Sequence, residues 1–570
     1  MTIMKEIFMN AKMKLIPALI LTLFLGACTG QDSKTSNKIL RIGVSQEFEI
    51  LHPIISQMAL SSYIYRMTNH SLTTINADWE AECFLCDELP TLENGKAKKL
   101  ANGKLEIQWA IREDAKWGDG TLITGHDVEF SWMLGNHPNI SVGERDVYHR
   151  IEKITIDKEN PKKFTFLLRE ARYDYNQQHT FYIVPKHIEE PVFEKSKDTA
   201  GLYEKQTVYN ADPANPGLYS GPYRVSEIKL GSHITLVRNE NYWKKAPIEQ
   251  IIYKLIPNTQ ALEANLLAGS VDMICEGSGI SFDQAIALEE RIEKDSKLGK
   301  RIKVEFREGT IYEHITFNLK DPIVADVRVR RALAYGADRE KMVTALFKGR
   351  QSVALHNTHP LDPYYTDDVT KYEYSPEKAN QILDEAGWKM GDNGIRSKEG
   401  KPLQLTLMTT AQNLTREQVQ VYFQSEWKKI GVDLILKTEP PRVFFGETVR
   451  KGEFPNLAMF AWVSSPDNPP RSTLFSGEIP TKANGWAGQN SGSFVNKEFD
   501  KHIEAIPTEF DFEKRKEHMK RISQIYTEEL PAIPLYLRAA FAIVPANLKG
   551  FRITGHQFYS SQSVADWSLE

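Results

Sequence analysis

One apolar run constrains this chain before anything else does: residues 15–24, LIPALILTLF, preceded by Lys5, Lys12 and Lys14. A permanent transmembrane helix needs about 20 apolar residues, so this run is too short to stay in a bilayer. A basic flank followed by a short apolar core reads as a secretory signal peptide, with Met13 as a second candidate start. No second long apolar stretch follows, so the rest of the chain has to fold in water, outside the cytoplasm. It has the material to do so, since 41% of its residues are hydrophobic and 10% aromatic, far above what a disordered chain carries. At 570 residues it is several times the usual domain length of about 100 to 200 residues. The 71 basic and 75 acidic side chains leave a net charge of -4, which offers no basic footprint for nucleic acid.

The apolar run closes on Leu25, Gly26, Ala27 and Cys28, an order that resembles the lipobox of bacterial lipoproteins. The resemblance implies cleavage after residue 27, a lipid on Cys28, and a polar tether to residue 37. Loss of residues 1–27 removes three Lys and one Glu, taking the net charge from -4 to -6 over 543 residues. The mature protein is then expected in the cell envelope, anchored by its lipid and facing the periplasm or the exterior. Thr29 stands where inner-membrane lipoproteins carry aspartate, which leaves an outer-membrane position open. Of the remaining cysteines, Cys83 and Cys86 in CFLC could form a short-loop disulfide or a redox dithiol. Cys275 is unmatched and reads as a small buried apolar residue.

The pattern along the chain mixes strands and helices. KILRIGV opens the folded part as a strand, with a helix expected near 58–67. Leu105, Ile107, Trp109 and Ile111 alternate with polar residues, and Phe164, Phe166 and Leu168 repeat that two-residue period of a half-buried strand. Trp117, Asp119 and Gly120 mark a turn. Thr124 and Asp127 begin a helix as cap and first-turn acid. HITLV and IIYKLIP read as strands, 260–268 as a helix ended by Gly269, and Asp272 and Met273 as a further strand. Residues 327–347 read as one or two helices with Asp338 as a cap. Ser375, Pro376 and Gly387 bracket another helix from both ends. No repeat of 20 to 50 residues is present, so the order favours an α/β architecture of several lobes.

Seven segments in fixed order carry a family resemblance: IREDAKWGDGTLITGHDVEFSW at Ile111, GPYRV at Gly221, LVRNENYW at Leu236, LLAGSVDM at Leu266, ITFNLKDPIVADVRVRRALAYGADRE at Ile315, YSPEKANQILDEAGW at Tyr374 and WKKIGVDL at Trp427. Together they resemble the extracellular solute-binding proteins of family 5, which serve ABC importers. Trp117 and Trp388 in these segments read as core residues. The resemblance implies a two-lobed, periplasmic-binding-protein-like type II fold that closes by a hinge. Lobe I would comprise 38–75, 186–303 and 531–570, an inserted domain 76–185, and lobe II 304–530. It also implies a monomeric carrier that passes peptides, or a related polar solute, to permease subunits.

The expected ligand site departs from its relatives. Peptide-binding members carry an aspartate three residues after a Gly-Trp pair, and that carboxylate holds the peptide's amino terminus. Here the string is AWVSSPDNPPRS: Trp462 matches, and Ser465 stands at the aspartate's position. A hydroxyl cannot give a buried ammonium the bond that a carboxylate gives, although Asp467 is two residues on. By the same resemblance Gln57, Met58 and Cys275 would face the cleft, and Arg450 and Arg471 lie near the Trp462 loop. Other readings compete. The same fold could hold haem, a metal chelate or an oligosaccharide, or the chain could be an envelope hydrolase. For an enzyme, H-E-x-x-H and G-x-S-x-G are both absent, and His356 and His359 in HNTH lack a third metal ligand nearby. The sequence therefore calls for no metal and no cofactor.

Overall fold

The computed structural model describes residues 38–570 apart from 47–49, 57, 412, 464–468, 485 and 487. The signal peptide, Cys28, the tether, Gln57, Ser465 and Asp467 thus lie outside the described residues. Eleven strands build one continuous sheet. In chain order they are β1 (Ile39–Val44), β2 (Tyr223–Lys229), β3 (His233–Arg238), β4 (Gln250–Leu255), β5 (Met273–Ile274), β6 (Ile302–Phe317), β7 (Ser352–Val353), β8 (Gln404–Thr410), β9 (Asp433–Glu439), β10 (Leu457–Val463) and β11 (Ala532–Pro545). Across the sheet they run β9, β8, β10, β6, β11, β5, β1, β4, β3, β2, with β7 also on β11. β1 pairs in parallel with β4 and β5, and β8 in parallel with β9 and β10; β6 is antiparallel to both β10 and β11. Parallel pairs need covered faces. Helices Thr259–Ala268 and Leu414–Lys428 pack on β1 and on β8 and β9 respectively.

Two large cores flank the middle of the sheet. One gathers Leu40, Ile42, Tyr63, Trp117, Phe166, Tyr253, Val544 and Trp567; the other gathers Ile315, Leu333, Leu405, Trp427, Met459 and Leu535. A four-stranded antiparallel sheet containing Leu105–Ala110 and Lys163–Leu168 belongs to the first core, as the period-two pattern predicts. β6 and β11, 16 and 14 residues long, are the strands that enter both halves. Ile302 of β6 and Ile543 of β11 pack in a third cluster beside the first core, while Ile315 and Ile533 lie in the second.

The local signals resolve into structure for physical reasons visible in the chain. Thr124 and Asp127 form a full capping box on Gly125–Asn136, and Ser375 Oγ accepts from the Lys378 N–H at the start of Pro376–Glu385. Asp338 caps Arg339–Phe347, so 327–347 is two helices. Gly269 closes its helix at φ +78°. Trp117 and Trp388 are buried. Cys83 and Cys86 of CFLC are joined in a disulfide, with Cα atoms 5.1 Å apart.

Candidate ligand cleft

The site grows out of an irregularity in the two long strands. Their pairing runs from Ile302 opposite Pro545 to Glu308 opposite Ala539, then resumes at Tyr312 opposite Leu537. Three residues of β6, Gly309 to Ile311, are therefore set against Arg538 alone. A bulge of this kind bends the strand and re-aims its side chains. The C-terminal loop docks on it: the Thr310 N–H donates to the Gly555 carbonyl at 2.7 Å, and Gly555 holds φ +76°. A Cβ at Gly309 would stand 2.7 Å from the Arg538 carbonyl, so this close backbone approach requires glycine.

One cavity lies at the bulge, and a second shares Gln557 with it as a wall. The first, about 360 Å³, is lined by Gly309, Thr310, Glu276, Arg416, Arg538 and Tyr559, among others. The second, about 480 Å³, lies between residues 144–180 on one side and 469–507 on the other, with Phe558 and His179 at its wall.

The first cavity is built on a buried charge. Glu313 of β6 is fully buried and accepts from Arg416 Nε at 2.6 Å and from Arg538 Nε at 2.9 Å. Burial pushes its carboxyl up, but the two guanidinium groups outweigh this and hold it below the usual carboxylate range. Because both arginines line the cavity and share one carboxylate, one positive charge is left over. Glu276 lines the same cavity. It accepts from the Ser560 N–H at 3.2 Å and from the Ser560 hydroxyl, and burial pushes its pKa up to about 7. The Gln351 side-chain oxygen on the same wall is buried without a partner among the described residues.

In the second cavity four charged residues pair with one another. Asp174 accepts from Arg150 Nη1 at 2.8 Å and from Arg172 Nε at 3.0 Å, and Arg150 also pairs with Asp146 at 2.6 Å. Burial raises the Asp174 carboxyl, but Arg172 and Arg150 hold it low.

The residues singled out in the sequence fall in different places. Trp462 stands near the end of β10 opposite Tyr312, half-buried, its ring 5.4 Å from that of Phe460. It lines a small third cavity with His314 and Asn490. Past the undescribed residues 464–468, the chain returns at Pro469, which lines the 480 Å³ cavity together with Arg471. Arg471 lies over the Phe475 ring at 4.2 Å, and Arg450 is exposed. Cys275 does not reach either of the two large cavities: it is 1% exposed in the first core, where burial raises its thiol, and its neighbour Glu276 takes the wall instead. Met58 is the N-cap residue of helix Ala59–Thr68 and lines neither large cavity. His356 and His359 are buried; His359 stacks on Trp79 at 4.6 Å and lies 3.2 Å from Glu308. Among the described residues no group of three metal-type side chains comes together.

The charged centre of the cleft, Glu313 with Arg416 and Arg538, escaped sequence reasoning. A signal for it exists: Glu313 interrupts IYEHITF and Arg538 interrupts PLYLRAAFAIV. A charge inside an otherwise apolar strand needs a partner, and each strand supplies one for the other.

Comparison with known proteins bears on the family and the fold. Residues 92–478 match the model of bacterial extracellular solute-binding proteins, family 5 Middle. The oligopeptide-binding protein AppA of Bacillus subtilis (strain 168) is 28% identical over 575 residues, covering 98% of this chain and 99% of its own. The crystal structure of an oligopeptide-binding protein from Thermus thermophilus, complexed with a pentapeptide, superposes with a TM-score of 0.71 at 30% identity, covering 94% of this chain and 96% of that one. Heme-binding protein A of Haemophilus influenzae is 26% identical over 339 residues, covering 58% of this chain and 56% of its own.

Proposed function

Since the chain belongs to the bacterial extracellular solute-binding proteins of family 5, we propose that it captures short peptides in the cleft at the β6–β11 bulge and delivers them to an ABC permease. The observation that carries this reading is the position of the cleft. It lies where two strands pass between two cores, so that rotation about them opens and closes both cavities at once. The peptide-binding relatives, which align with nearly the full chain, support the ligand class. The combined volume of the two cavities leaves room for side chains of different size and for water. Lobes at 38–75 with 186–303 and 531–570, and at 304–530, with 76–185 inserted, form part of the proposal.

Ligand binding to the folded state stabilises it by mass action. Mixed peptides of two to eight residues, at millimolar concentration, are expected to raise the melting temperature of the purified protein. A flat response to every length in that range would remove peptides as the ligand class. The haem-binding relative supports a second reading, a non-peptide anionic ligand at the surplus positive charge of Arg416 and Arg538. Native mass spectrometry of the protein as purified separates the two by the mass retained.

The lipobox-like LGAC supports attachment to a membrane through Cys28. Cell fractionation is expected to move the Cys28→Ser protein from the membrane to the soluble fraction, and a variant that stays with the membrane would exclude the lipid as its anchor.

A further inference from the structure

Residues 556–558 stand between the two cavities: His556 lines the one of about 360 Å³, Phe558 the one of about 480 Å³, and Gln557 both. The two sides differ in chemistry. Arg150, Arg172, Asp146 and Asp174 line the larger cavity, whereas the smaller one is walled by the rings of Phe282, Tyr536, Phe541 and Tyr559. These rings come from three places in the chain. Phe282 is the first residue of helix Phe282–Lys294, Tyr536 and Phe541 belong to β11, and Tyr559 follows the loop that docks on the bulge.

Further rings hold the wall in place. Phe282 stands edge-on to Phe541 at 5.9 Å and to Phe306 at 5.7 Å, and Tyr536 packs on Phe347 at 4.8 Å. The wall is thus built by packing within the protein, and a ligand pays little ordering cost to use it. A volume of about 360 Å³ is at the small end of ligand pockets, which run from about 300 to 1,000 Å³. It admits one large side chain rather than a whole peptide.

The charged groups of this cavity are engaged by the protein itself. Arg416 and Arg538 share Glu313 as acceptor, and Glu276 accepts from the Ser560 N–H and hydroxyl. Arg538 is the more accessible of the two arginines, with 35% of its side chain exposed against 8% for Arg416. What remains for a ligand is apolar ring surface beside a guanidinium that shares its carboxylate. A carboxylate on the ligand would match the cation but not the rings, which offer it no hydrogen bond. An aliphatic side chain would match the rings but not the cation. An aromatic ring matches both, because rings attract one another edge to face and a guanidinium is attracted to a ring face.

We propose that the 360 Å³ cavity is a subsite for an aromatic side chain of the ligand, walled by Phe282, Tyr536, Phe541 and Tyr559, with Arg538 as its cation. This rests on the reading of the cleft as a peptide site and names the side chain that the site selects.

The test uses calorimetry on the mature protein with trialanine and with tripeptides in which one alanine, at each position in turn, is replaced by Phe, Leu, Glu or Lys. Burial of a large apolar side chain in place of a methyl group corresponds to about 10- to 100-fold in affinity, and an aromatic contact adds about 2- to 10-fold over an aliphatic one. At one position Phe is expected to bind tighter than Ala by the first factor and tighter than Leu by the second, with Glu and Lys no tighter than Ala. Two variants locate the effect: Phe282→Ala removes a ring from the wall, and Ala539→Phe fills the space it encloses. A Phe-to-Ala affinity ratio that falls toward one in either variant upholds the assignment. A ratio unchanged in every variant that folds would overturn it. Leu or Glu binding as tightly as Phe at every position would overturn it too, and that series in wild type decides alone if neither variant folds. If no tripeptide binds, the peptide reading fails, and indole becomes the probe. Indole binding that is lost in either variant upholds the aromatic subsite, whereas indole that does not bind, or binds all three proteins alike, overturns it.

Discussion

Histidine burial at single positions sets how this protein responds to acid. His52, His70, His179, His314 and His556 are all buried, and burial lowers their pKa values to about 3 for the first two and about 4 for the others. In the unfolded chain a histidine titrates near 6.5. Between those limits the unfolded state binds more protons than the folded one, so stability is fully present above about pH 6.5 and falls as the pH drops toward 4. Glu276 acts in the opposite sense. Its folded pKa of about 7 lies above that of an unfolded carboxyl, so its contribution favours folding at low pH and is lost as the pH rises toward 7. His356 and His502 are shifted in the same direction as these five, and Glu82, Asp127 and Glu189 in that of Glu276, and the histidines are the larger group. The melting temperature is expected to fall steadily between pH 6.5 and 4.5, and an unchanged value across that window would mean that these imidazoles are charged in the folded protein.

At the scale of elements, the β6–β11 ribbon carries the site and Gly555 is the residue that locks the loop onto it. Alanine there would be strained at φ +76° and would collide with the Glu308 carbonyl. A non-glycine residue in this conformation costs about 1–3 kcal/mol. Gly555→Ala is expected to lower the melting temperature and to weaken ligand binding together, since Gln557 and its neighbours line both cavities. A variant with wild-type stability would show that the loop is free to move off the bulge. The elements themselves were largely legible in the sequence, because period-two strands such as Leu105–Ala110 and capped helices such as Pro376–Glu385 are specified by residues a few positions apart. The cleft was much less legible. Glu313 meets Arg416 and Arg538 across 103 and 225 positions. Such meetings depend on strand register and bulge position, which no local pattern encodes. Cys275 shows the finest version of the problem. A displacement by one residue decides whether the cysteine or Glu276 lines the cavity.

For the molecule as a whole, the net charge of -4 coexists with a cavity wall on which Arg416 and Arg538 share the one carboxylate of Glu313. Anionic ligands would therefore be drawn by the local field rather than by the protein at large, and that attraction is screened by salt. The first core has a further consequence. It packs Leu40 and Ile42 against residues that include Val544, Val564 and Trp567, more than 500 positions later. Contacts of such sequence separation form late, because a long loop has to close before they stabilise anything. As the chain is synthesised, its opening strand waits for nearly the last residues before its own core can close. The first core is therefore complete only once nearly the whole chain is available to it.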